Sequence, residues 1–369
     1  MERKLATIRR ITDIQPIEGA DRIEVATVGG WNVVIAKNVG HKIGDLVVYC
    51  EIDSFLPIEP EFEFLRKTSY KKMESREGFR LKTMRFKGVT SQGLIIPLNS
   101  AYDIYKRNTP NLDMTWFEGL DVTDMLGILK YEAPIPAQLM GIMKGGFPSF
   151  IRKTDEERLQ NLTDKYQKWI DNDVSFYVTE KIDGSSATFY IKDGEFGVCS
   201  RNIDLARPAA FIPGTVVGND GVERPKQENT FWKVSREMGI EEKLKTFSAN
   251  SGGKNIAVQG ELIGEGVQKN LYGIKGHTVR FFNVFDIDEG EYYGLNQFID
   301  FVKYVLKAET VPILETNIKL PKTVEELLRV ADGVSALNPK TNREGLVIRS
   351  LDRRISFKVI SNEYLIEDD

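Results

Sequence analysis

The first hundred residues carry short apolar runs broken by turn residues. Leu5–Ile14, Arg22–Val28, Trp31–Ala36, Asp45–Ile52 and Ser91–Pro97 are rich in Val, Ile and Leu, and Gly19, Gly29-Gly30, Gly40 and Gly44 punctuate them. This pattern predicts short strands without long helices, as in a small Greek-key barrel. Residues 106–150 read as a spacer. Met114–Leu129 has helical patterning, after which Pro134, Pro136, Gly141, Gly145-Gly146 and Pro148 interrupt the chain.

From Thr154 onward the pattern turns mixed. Asp155–Trp169 predicts a helix with Thr154 as its cap. Ser175–Glu180 predicts a strand. Ala187–Ile191 and Gly197–Ser200 flank Lys192-Asp193-Gly194-Glu195, a hairpin signal because Asp-Gly favours the turn that matches strand twist. Leu295, Phe298, Ile299, Val302 and Leu306 recur at helical spacing, and Thr323-Val324-Glu325-Glu326 reads as a capping box. Gly345–Arg349 and Ile355–Val359 complete the strands. The expected fold is α+β: a barrel over residues 1–105, the spacer over 106–150, and a domain of antiparallel sheets with flanking helices over 151–369.

Composition changes this picture little. The 369 residues exceed one average domain, consistent with two. Net charge is −4 and the sequence pI is about 5.6. A nucleic-acid coat would be basic throughout, whereas an enzyme that grips phosphates needs positive charge only at its site. The two cysteines, Cys50 and Cys199, form no CxxC pair, so no zinc knuckle or disulfide framework is indicated. No apolar run is long enough for a bilayer, and Met1-Glu2-Arg3-Lys4-Leu5 carries no signal-peptide core. A cytoplasmic monomer without a membrane partner is expected. His41 and His277 read as structural or surface residues.

The candidate chemistry begins at Glu180-Lys181-Ile182-Asp183-Gly184, at a strand end. A lysine nucleophile must lose its proton, yet the free side chain titrates near ~10.4. Desolvation or a nearby cation lowers that value, and carboxylates such as Asp183 can hold the cation. Gly184 permits a tight turn. Alone, the tetrapeptide occurs by chance in surface loops. Further pieces follow in order: Ser200-Arg201-Asn202 after the hairpin, Glu261 in Val258–Gly264, the aromatic strand Phe281–Asp286, Glu344 before Gly345–Ile348, and Lys358 on the last strand.

This ordered set resembles the covalent nucleotidyltransferases, the polynucleotide ligases and mRNA-capping enzymes. Gly260–Asn270 followed by Val284-Phe285-Asp286-Ile287 resembles the RNA ligases in particular. Pro16–Ile23 is similar to the opening of OB-fold RNA-binding modules. Thr154–Asn161 upstream of the lysine adds to a resemblance to the Deinococcus/Naegleria type of RNA ligase, with its N-terminal OB domain and ATP-grasp-like adenylyltransferase domain.

The resemblance implies an ATP-dependent enzyme sealing 3′-OH and 5′-phosphate RNA ends, such as those of a nicked duplex, through a lysyl-AMP and an RNA-adenylate. It implies Lys181 as nucleophile and Lys358 as neutraliser of α-phosphate charge. It implies nucleotide contacts from Glu180, Ser186, Arg201, Glu261, Phe285 and Arg158, with Phe285 stacking on adenine. Mg²⁺ or Mn²⁺ would be held by Asp183, Glu261 and Glu344. Locally, Phe285 reads equally well as a core residue, and Arg201 as a hairpin surface residue. One departure is clear. The second type of phage RNA ligase carries two lysines on the last strand, and Ser356 stands here at the first of these positions.

DNA ligases and capping enzymes place an OB domain after that strand. Here Val359–Asp369 follow Lys358, from which a ligase is expected rather than a GTP-using capping guanylyltransferase. The intact set of charged residues favours an enzyme over a non-catalytic RNA-binding protein. Arg66, Lys67, Lys71, Lys72, Arg76, Arg80, Lys82, Arg85 and Lys87, interleaved with Tyr70, Phe79 and Phe86, suit nucleic-acid contacts.

Overall fold

The computed structural model describes residues 3–73, 75–109, 114–132, 142–208, 215–217, 223–225 and 229–367. Pro134, Pro136 and Gly141 of the expected spacer lie outside them. The chain forms two compact units. One comprises residues 1–134 and 159–167 with residue 369, and the other residues 135–158 and 168–368. Among the described residues, no helix is long and apolar enough to cross a membrane.

The first unit is built on a five-stranded sheet in the order Leu94–Pro97, Leu46–Cys50, Ala6–Pro16, Ile23–Val28, Trp31–Ala36. Strand alternation gives this sheet two apolar sides. Val47 and Tyr49 join Ile11, Val28, Trp31 and Ile95 on one side, while Val48 and Cys50 join Ile8, Leu56, Phe62 and Phe79 on the other. The Val34 N–H donates to Ser91 Oγ at 2.9 Å, tying the edge strand Trp31–Ala36 to the neighbouring strand Val89–Gln92. A second sheet runs Leu129–Lys130, Ser54–Leu56, Arg76–Arg80, Tyr70–Met73.

The helix expected over Met114–Leu129 does not form. Its described part bridges Thr7 at Asp121, and Val122 N–H donates to the Ala6 carbonyl. Val122, Leu126 and Ile128 are buried, and Asp124–Leu126 winds into a short 3-10 turn that satisfies its backbone locally.

In the second unit an eight-stranded sheet carries Met143–Gly146, Ile203–Leu205, Glu195–Cys199, Ser185–Lys192, Ile256–Gly264, His277–Asp286 and Glu291–Tyr292 in that order, with Glu309–Thr310 also pairing His277–Asp286. Phe189, Val258, Phe281 and Val284 on one face pack against helices Thr230–Glu237, Ile240–Asn250 and Leu295–Asp300. The hairpin turn is as the sequence predicts: Asp193 and Gly194 both have positive φ, at 52° and 79°. A second sheet runs Glu157–Arg158, Ser356–Ile360, Gly345–Ser350, Phe176–Lys181, Ile313–Ile318. One of its faces stacks Trp169 on Phe357, with ring centroids 5.3 Å apart.

The capping box is confirmed. Thr323 Oγ1 accepts from Glu326 N–H, and Glu326 Oε2 accepts from Thr323 N–H. The helix expected over Asp155–Trp169 begins only at Thr163 and ends at Asp171. Glu157–Arg158 is instead recruited as a parallel strand onto Phe357 and Lys358, so Thr154 caps no helix. Both cysteines are buried thiols.

Candidate active site

Strand Phe176–Lys181 is buried until its last residue, where Lys181 emerges opposite Gly345. Glu344 precedes that glycine, which places the two charged side chains side by side. Lys181 Nζ donates to Glu344 Oε1 at 2.6 Å. Gly345 sits at φ 152°, and a Cβ there would lie 2.2 Å from the Val359 carbonyl, so the pairing requires glycine.

After Lys181 the chain turns into the next strand. Asp183 N–H donates to Tyr272 Oη at 2.7 Å, and Gln268 Nε2 donates to the Gly184 carbonyl at 3.1 Å. A Cβ on Gly184 would meet the Leu262 carbonyl at 2.5 Å. The glycine thus lets the turn lie against the strand that carries Glu261. Ser186 pairs directly with Glu261, and Glu261 with Arg280.

Charge is unevenly balanced here. Burial lowers the Lys181 pKa, but Glu344, Glu261 and Asp183 together outweigh it and hold the amine protonated beyond its usual range. Burial pushes Glu261 up to about 8. Lys181 opposes that rise, while Glu344 and Asp183 add to it. Three carboxylates therefore share one ammonium. Among the described residues no group of three or more acidic, histidine or cysteine side chains is closed into a cation shell; Glu344 carries the ammonium instead. The donor chemistry still fits a hard divalent cation: Asp183 and Glu344 supply oxygens, and a cation would displace the proton that burial keeps on Glu261.

On the neighbouring strand Lys358 is in register with Val347 and, on its other side, with Arg158. Opposed residues share a face, so Lys358, Val347, Thr179 and, two residues on, Lys181 line one face. Lys358 Nζ lies 3.4 Å from Asp155, and the exposed Arg201 reaches the same carboxylate at 3.7 Å.

Two sequence candidates, Glu180 and Phe285, are buried. Glu180 is buried on the opposite face, where its carboxylate accepts from Ser335 Oγ at 2.5 Å and Ala336 N–H at 2.8 Å. Phe285 is 2 % exposed, packed with Ile151, Tyr190 and Ala257 and edge-on to Tyr292. Of its two local readings, the core residue is the one the burial supports.

Phe282 is placed differently. A bulge between Gln259 and Gly260 sets the ladder over by one residue. Phe282 stays partly exposed and packs against Ile182 and Ile263, beside the lysine turn. A single sequence carries no signal of that bulge. Asp155 and Tyr272 also escaped the sequence reading, because their partners are distant in the chain. Arg349, buried between Thr179 and Glu156, escaped it for the same reason.

A family model for an OB-fold domain matches residues 5–98, and one for RNA ligase matches residues 174–360. No curated protein matches the sequence. Among solved structures, an apo mutant of Naegleria gruberi RNA ligase is 39% identical, with TM-score 0.82, covering 99% of this chain and 98% of that one. Two further mutants of the same ligase, one with ATP and Mn and one with AMP and Mn, are each 38% identical with TM-score 0.81, covering 99% of both chains. The strand-end lysine among three carboxylates thus lies in a chain that is similar throughout to a known ligase. This protein belongs to the RNA ligase family.

Proposed function

We propose that the protein is an ATP-dependent RNA ligase that joins 3′-OH and 5′-phosphate RNA ends, nicks in duplexes among them. The carrying observation is Lys181 Nζ on Glu344 within reach of Asp183 and Glu261. The related structures holding ATP or AMP with Mn support the choice of nucleotide and metal.

Lys181 attacks the α-phosphorus of ATP, expelling pyrophosphate and leaving AMP on Nζ. Its proton must leave first, and the carboxylates around it oppose that loss. A divalent cation, Mg²⁺ or Mn²⁺, held by Asp183, Glu261 and Glu344, offsets their charge and stabilises charge on the phosphate. Lys358 neutralises the α-phosphate as charge develops, with Arg201 and Arg158 as further phosphate contacts in place of the lysine absent at Ser356. Ser186 reaches the sugar–phosphate region. AMP then passes to the RNA 5′-phosphate, and the 3′-hydroxyl displaces it. The test is incubation with α-labelled ATP or GTP, followed by sealing of nicked duplexes with RNA or DNA on either side. Label from GTP alone would reject the reading.

For the adenine we assign Phe282 rather than Phe285. Phe282→Ala should raise the KM for ATP about tenfold through lost stacking, with little change in Tm. Phe285→Ala should cost about 3–5 kcal/mol of stability as a core truncation. Denaturant melts and ATP titrations of the pair check this, and the reverse pattern restores Phe285 as the stacking residue.

In the first unit, part of the basic stretch is already paired: Arg66 with Glu63, Lys72 with Glu77, Arg80 with Asp53. Phe79 is fully buried, so it serves the core rather than a base. Lys67, Lys71 and Arg76 remain exposed. Reversing these three to Glu should weaken sealing of nicked duplexes by roughly tenfold or more at physiological salt, through lost phosphate contacts. Lysyl-adenylate formation should persist. Equal loss of both would count against an RNA-docking role.

A further inference from the structure

Residues 152–158 cross from one sheet of the second unit to the other. At one end, Gln259 Nε2 donates to the Arg152 carbonyl at 2.8 Å. Thr154 Oγ1 lies 3.5 Å from Ser186 Oγ. At the other end, Arg349 donates to Glu156, and Glu157–Arg158 joins the ladder beside Phe357 and Lys358. Between these anchors sits Asp155, whose single carboxylate receives Lys358 at 3.4 Å and Arg201 at 3.7 Å.

Two cations converging on one acceptor form a site shaped for an anion. The Lys358 side chain is only 15% exposed, so it needs a counter-charge close by. Both contacts are long, and Arg201 is 61% exposed. A phosphate chain carries more charge and more acceptor oxygens than one carboxylate, and can take both cations from it.

We propose that Asp155 is a built-in counter-anion that positions Lys358 and Arg201 and competes with the nucleotide's phosphates for them, setting the affinity for ATP and pyrophosphate. The inference rests on the reading above that both cations contact phosphate. The strap's anchors at Arg152, Glu156 and the ladder do not involve the Asp155 side chain. A neutral residue there should therefore leave the strap in place and remove the competitor.

The test compares wild type with Asp155→Asn, and with Asp155→Ser as a second neutral variant should the first fold poorly. Binding of inorganic pyrophosphate with Mg²⁺ is measured by calorimetry, and lysyl-adenylate formation over a range of ATP. Expected for Asn is a three- to tenfold tightening, about the effect of one screened ion pair, in both pyrophosphate Kd and ATP KM. Asp155→Glu, which keeps the carboxylate, should restore wild-type values of both. Unchanged or weaker pyrophosphate binding in the neutral variants overturns the proposal. A wild type that binds pyrophosphate but never labels with ATP rejects the ligase reading, while the pyrophosphate ratio still decides the role of Asp155.

Discussion

Lys181→Ala should form no covalent adenylate, a loss of at least about 10⁴-fold in labelling, because alanine offers no lone pair to phosphorus. The same variant should still seal RNA that already carries a 5′-adenylate. That later step needs the carboxylates, Lys358 and the RNA contacts, but not the amine. The two assays separate a nucleophile from a residue that merely supports the site. A supporting residue would slow both steps together, since its loss disturbs shared geometry. The substitution also strips Glu344, Glu261 and Asp183 of their common ammonium. A thermal melt should accompany the assays, to show that lost labelling is not lost folding. Labelled AMP captured by this variant would show that another residue is the nucleophile.

The second large effect is expected from removing divalent cations. Chelation should lower lysyl-adenylate formation by about 10³-fold, the scale of metal-assisted phosphoryl chemistry. The residual rate should depend on pH in a direction set by the site. Burial alone would release the Lys181 proton early, but Glu344, Glu261 and Asp183 reverse that and raise the pKa. Near neutrality the amine is therefore protonated and inert, and each pH unit upward should increase its neutral fraction about tenfold. With cation present, the carboxylates' pull is offset and the dependence on pH should be shallower. Rate measurements between pH 7 and 9, with and without chelator, check both statements. Full activity in chelator at pH 7 would remove the metal from the mechanism.

Much of the architecture was legible because it depends on local chemistry. The Asp193-Gly194 turn needs two residues with positive φ, and that requirement is visible in a dipeptide. The Thr323–Glu326 capping box closes within four residues. The order of Lys181, Glu261, Glu344 and Lys358 along apolar strands pointed to one site, and the structure brings Lys181, Glu261 and Glu344 together with Asp183. The misreadings share a different cause. Met114–Leu129 has helical patterning, yet its carbonyls and amides are claimed by the strand at Ala6–Pro16. Asp155–Trp169 loses its first turns to a parallel ladder whose other strand begins at Ser356. Propensity is a weak prior against pairings of this kind.

By itself the sequence determined the ordered set of charged residues, the two-part organisation and the short-range turns and caps. All of these are written in neighbouring residues or in motif order. Tertiary structure decided that Phe285 packs with Ile151, Tyr190 and Ala257, while Phe282, left unpaired by a bulge, packs on the cluster that holds Ile182 and Ile263. It decided that Glu180 faces Ser335 and Ala336 rather than the site. It also set Asp155 between Lys358 and Arg201, a contact spanning 203 residues of chain on the Lys358 side. Such contacts depend on strand register and sheet-to-sheet crossing. A one-residue change in register turns a side chain to the opposite face, and no local pattern encodes the register of strands so far apart in the chain.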